Sequence, residues 1–150
     1  MPVSRSLLRL LRVRELEEEQ CRSILAAAAA ELILLESARD AARERARRGR
    51  SLMVASAQSG DLADRIAGAE EVRCGVGSTE FLSVRIRSVE LRVAGLRQRF
   101  LVKRTERRQA ETLIEDERQR DAVEQSRKSQ QALDEWHRTR QWRAEAGKKH

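Results

Sequence analysis

The chain has 150 residues, of which 37% are charged and only 3% aromatic, with a net charge of +7. Two Phe, two Trp and no Tyr are too few large side chains for a compact globule around an enclosed cavity. Arg, Ala, Glu and Leu dominate, Pro2 is the single proline, and a thin helical core is the economical use of such a composition.

The first predicted helix covers about residues 4–57. Its opening, Ser4-Arg5-Ser6-Leu7-Leu8-Arg9-Leu10-Leu11-Arg12, is broken by arginine too often to form a signal-peptide core, and Glu15, Glu17, Glu18 and Glu19 follow at once. Stepping by four and three from Leu7 gives Leu11, Arg14, Glu18, Cys21, Leu25, Ala28, Leu32, Leu35, Arg39, Ala42 and Ala46. Nine of these twelve positions are apolar. The most apolar run, Ile24 to Leu35, is twelve residues long with Glu31 inside it. A membrane-spanning helix needs about 20, so a packed helix is expected instead.

Residues 58–78 are expected to be broken. Ser59-Gly60-Asp61 is a break signal, Leu62, Ile66 and Ala69 fit one short amphipathic helix, and Cys74-Gly75-Val76-Gly77-Ser78 reads as a turn. Ser78 or Thr79 then suits an N-cap for a second long helix over about 79–142, with a basic tail at 143–150. Its seam, Leu82, Ile86, Val89, Val93, Leu96 and Phe100, is apolar at every position. Beyond it the same count turns polar through Lys103, Arg107, Ala110, Ile114, Glu117, Asp121, Glu124 and Lys128, and a shifted register through Leu113, Val123 and Leu133 is sparse. The fold class this predicts is all-α: one domain, an antiparallel two-helix coiled-coil hairpin, monomeric in dilute solution. A turn centred near residue 73 would set Trp136 opposite Leu10 and Phe100 opposite Ala46.

Charge is uneven along the chain. Residues 1–14 hold four arginines and no acid, residues 138–150 hold five basic residues against Glu145, and residues 51–96 hold five basic against six acidic. In a hairpin with its turn near residue 73, both basic ends fall at one tip. No catalytic or cofactor site is expected. Glu115, Asp116 and Glu117 point in different directions on a helix, and Gly75-Val76-Gly77 lacks the strand before it and the Lys-Ser/Thr after it that a phosphate loop requires. Nor is a metal expected, since His137 and His150 have no spaced ligand partners, and Cys21 and Cys74 read as two reduced thiols.

The last fifty residues carry a family resemblance. Arg107-Arg108-Gln109-Ala110-Glu111-Thr112-Leu113-Ile114, a charged helix, and then Gln130-Gln131-Ala132-Leu133-Asp134-Glu135-Trp136 resemble the C-terminal signature of the FliJ family of flagellar export proteins. The order of features along the whole chain is similar too. The alanine run at 26–30 and the valine-rich stretch from Val84 to Val93 are less polar than that family's usual sequence. The resemblance implies a stalk, similar to the central shaft of rotary ATPases, whose paired ends enter and stimulate a hexameric export ATPase. It also implies contacts with the membrane export gate and with export chaperones, and a cytoplasmic place at the inner membrane by the flagellar base. The ATPase-facing positions it implies are Arg5, Arg9, Arg12 and Arg14 on one helix, with Asp134, Glu135, Trp136, Arg138 and Arg140 on the other. A stalk of a virulence type III secretion system is the neighbouring alternative. A basic nucleic-acid-binding coiled coil is the other, against which stand the interleaved acids and the absence of an aromatic stacking platform.

Overall fold

The computed structural model describes residues 3–149. It consists of two helices, α1 (Arg5–Ser59) and α2 (Leu62–Lys148), packed against each other as an antiparallel hairpin. The reversal takes two residues. The Gly60 N–H donates to the Ser56 carbonyl at 2.8 Å, and Gly60 holds φ at 74°, a conformation glycine adopts without a Cβ clash. Asp61 then caps α2, its Oδ1 accepting from the N–H groups of Ala63 at 3.0 Å and Asp64 at 3.3 Å. The break signal at Ser59-Gly60-Asp61 is thus the whole turn, and Leu62, Ile66 and Ala69 belong to the start of α2.

The expected turn at Cys74 to Ser78, with its cap at Ser78 or Thr79, is corrected: these residues lie inside α2. Counting back from Leu82 by three and four reaches Thr79, Gly75, Val72 and Gly68, none of which is exposed. Glycine is used here for close approach. A Cβ on Gly75 would stand 2.7 Å from the Ala46 nitrogen and 2.8 Å from the Ala42 carbonyl oxygen. Gly49 and Gly68 face each other in the same way, each Cβ position lying 2.7 or 2.8 Å from the other's carbonyl oxygen. The expected pairings change with the turn. Ala46 faces Gly75 rather than Phe100, and Leu10 lies on the stretch whose neighbours run from Glu106 to Glu117, far from Trp136.

The chain divides into two compact units. The first, Glu18–Lys103, contains the turn and most of the core. Ala28, Val89 and Val93 are buried together, with Leu25, Leu32, Leu35 and Leu96 packed around them. Ile86, 2% exposed, is the most deeply buried large side chain. Burial of such a side chain contributes about 1.5–3 kcal/mol. Ion pairs lace the two helices: Arg45 donates to both Glu71 oxygens at 2.7 and 3.0 Å, and Glu31 accepts from Arg85 at 3.3 Å and from Arg92. Glu18, a charge on the seam, is buried with the Arg22 guanidinium 3.6 Å away.

The second unit joins Met1–Glu17 to Arg104–His150. Its small core is Ala110 and Ile114, with Leu7 and Leu11 of α1 half-buried. The polar continuation of the α2 seam keeps its register: Arg107, Ala110, Ile114, Glu117 and Asp121 are all withdrawn from solvent. The shifted register does not form, for Leu113, Val123 and Leu133 are more than half exposed.

Candidate partner-docking surface

Ser4 opens α1 by accepting a hydrogen bond on its Oγ from the Ser6 N–H at 3.2 Å, while its own N–H donates to Glu117 at 3.5 Å. That contact fixes where α1 begins along α2. Arg5, Arg9 and Arg12 follow on the exposed face. Arg14 differs, because it sits on the seam: it is half-buried and pairs with Glu106 at 2.9 Å and with Glu17 at 3.1 Å. It therefore holds α1 to α2 and is no free cation. Its place in the 3,4 count, between Leu11 and Glu18, was the signal for that role.

Past Asp121 every described residue of α2 is exposed, since α1 ends its coverage at Glu117. Asp134, Glu135, Trp136, Arg138 and Arg140 all lie on this uncovered extension. Trp136 is 54% exposed, packs edge to face with His137 at 5.2 Å, and has the Arg140 guanidinium over its ring at 5.2 Å. The Arg140 contact is a surface cation–π pair, worth about 0.5–1 kcal/mol. The expectation that both basic segments meet at one tip is corrected. Glu117, beside the start of α1, and Trp136 are nineteen residues apart on one helix, about 28 Å at 1.5 Å per residue. The cause is the turn position: with Gly60 at the reversal, α1 has 55 residues and α2 has 87, so the ends cannot coincide.

The uncovered extension has a signal in the sequence. Extending the α2 seam backward through Gly75 and Gly68 places the turn at Gly60 and leaves the part of α2 after Asp121 beyond the reach of α1. Electrostatically, the clearest perturbations lie nearer the turn. Two hydrogen bonds from Arg45 hold the Glu71 carboxyl below the usual range and raise the Arg45 guanidinium in return. Arg73, one turn away on the same helix, lowers Glu70 through a hydrogen bond of 2.6 Å.

Among the described residues no group of His, Cys, Asp and Glu is gathered that could hold a metal ion, and no helix is long and apolar enough to cross a membrane. Cys21 and Cys74 are both free and half-buried. No family model matches the chain, and no curated protein or solved structure matches it either.

Proposed function

We propose that this chain is a coiled-coil stalk of a type III protein export apparatus. It docks by its helix ends in a hexameric export ATPase, stimulates ATP hydrolysis and links the ATPase to the membrane export gate, with export chaperones visiting the hairpin. The observation that carries this reading is an antiparallel hairpin whose α2 runs on past α1 as an uncovered helix bearing Trp136, Arg138 and Arg140. A bare, basic helix is suited to a narrow ring with acidic groups at its rim. The signature-like residues Arg107 to Ile114 and Gln130 to Trp136 support the same reading. Contact is made at two levels, the α2 extension inside the ring and Arg5, Arg9 and Arg12 at its mouth. The apparatus is flagellar in this reading, the virulence type being its nearest relative, and the stalk works on the cytoplasmic side of the inner membrane.

The test is charge reversal of Arg5, Arg9 and Arg12 to Glu, with Arg14 left in place because its pairing with Glu106 belongs to the fold. Helicity and melting should hold, since exposed charges contribute about 0–1 kcal/mol each. Stimulation of a purified export ATPase should be lost, and wild-type stimulation should decline with salt as screening shortens to about 10 Å at 0.1 M. Undiminished stimulation by the reversed protein would remove the start of α1 from the docking surface. On heparin or DNA the chain should elute at moderate salt, whereas salt-resistant retention would put nucleic acid first.

A further inference from the structure

The seam that joins α1 to α2 is not the sole 3,4 line on either helix. On the outward face of α2, Phe81, Val84, Ser88, Leu91, Gly95 and Gln98 follow one another at the same spacing, and Val102 continues the line; all are exposed and none is charged. In a chain that is 37% charged, a solvated face would be interrupted by charges within two turns. This one instead leaves Phe81, Val84 and Leu91 at 70%, 70% and 72% exposure. The outward face of α1 carries a counterpart in Ser23, Ala27, Ala30, Leu34, Ser37 and Ala41, likewise exposed and uncharged. Both lines lie within the unit Glu18–Lys103.

What borders each line selects its occupant. Beside the α2 line, Arg85, Arg92 and Arg99 recur at intervals of seven on one side, and Glu80 and Arg87 stand on the other, so that its border is basic by four arginines to one glutamate. Beside the α1 line the charged positions are Glu19, Glu31 and Asp40, with Ala and Ile between them and no basic residue. Each line therefore repels its own kind and attracts the other, by the rule that flanking charges set the choice of partner in a coiled coil. Within the chain Glu31 already holds Arg85 and Arg92, which leaves Arg87 and Arg99 to meet an acidic border from outside. Size agrees with charge: large Phe81 and Leu91 stand out from α2, and small Ala27 and Ala30 on α1 leave room for them.

We infer that two copies of this chain associate through these faces, the outer line of α2 in one copy lying along the outer line of α1 in the other. A two-helix contact of about three heptads covers on the order of 1,000 Å², the low end for a specific interface, so the association is weak and the dilute chain remains a single hairpin. The inference rests on the hairpin alone and is independent of the ATPase reading.

Sedimentation equilibrium on the full chain tests it. Between about 1 and 100 µM, a range that brackets weak pairing, the mass should rise from that of one 17.2 kDa chain toward that of two. Leu91→Glu and Ala30→Arg, each setting a charge against a border of its own sign, should keep the wild-type helical spectrum and stay monomeric throughout. An equimolar mixture of the two variants should associate again, because the Ala30→Arg chain keeps its α2 line and the Leu91→Glu chain keeps its α1 line. A wild-type chain monomeric across the range, variants that associate as wild type does, or a mixture that stays monomeric would each overturn the inference. Should either charge lower helicity, Leu91→Gln and Ala30→Gln read the same contact without it.

Discussion

At Gly75 the absence of a side chain lets two backbones approach, while two residues on, Gly77 faces open space. The two glycines should therefore answer oppositely to alanine. Gly77→Ala gains helix propensity and should stabilise the chain by about 0.5–1 kcal/mol. Gly75→Ala gains the same propensity but drives a methyl against the backbone of Ala42 and Ala46, an overpacking cost of about 1–3 kcal/mol that prevails. Denaturant midpoints for the two variants, moving in opposite directions, check this. A second residue-scale expectation concerns acid. Glu71 is held below its ordinary pKa by Arg45, so the folded state favours the carboxylate, and that contribution is present above the unfolded pKa and lost as pH falls through the folded one. Wild type should accordingly melt above Glu71→Gln at pH 7, and the gap should close on acidification below about 4. The size of the gap is small because both partners are exposed to solvent.

At the scale of the helices, one count carries most of the architecture. All twelve positions of the α1 seam from Leu7 to Ala46 are withdrawn from water, as are the six of α2 from Leu82 to Phe100, so periodicity alone was enough to find both inner faces. It failed at Gly75 and Gly77 because glycine in a sequence is ambiguous between a turn and a close helix contact. The deciding information, that Gly75 and Gly68 keep step with Leu82, was periodic and not compositional. A turn at Gly75 in place of Gly60 displaces the reversal, the cross-helix pairs and the place of the two basic segments together. The candidate docking residues stand out in the sequence as charges, but their grouping does not, because grouping depends on register. Arg14 illustrates the point: its arginine character suggested a docking cation, while its seam position made it the partner of Glu106. The inner face itself is tested by Val93→Asp, which sets a charge among Ala28, Val89 and Leu96. A loss of about 2–5 kcal/mol in urea unfolding is expected. An unchanged curve would mean that α2 packs by another face.

For the molecule as a whole, the difference between 55 and 87 helical residues sets how much of α2 is covered. It leaves one unit with a helix covered on its seam only as far as Asp121, and it spreads basic charge along that helix instead of concentrating it. The extension carries an exposed tryptophan under an arginine. The proposal that it docks in a hexameric export ATPase is tested most directly by the steady-state ATPase rate with full-length variants of the extension. Trp136→Ala combined with Arg138→Glu and Arg140→Glu alters only exposed residues, so the helical melting curve should match wild type. If the extension docks in the ring, stimulation of the purified ATPase by this variant falls to the rate of the enzyme alone. Stimulation equal to that of wild type, from a variant equally folded, would contradict that docking.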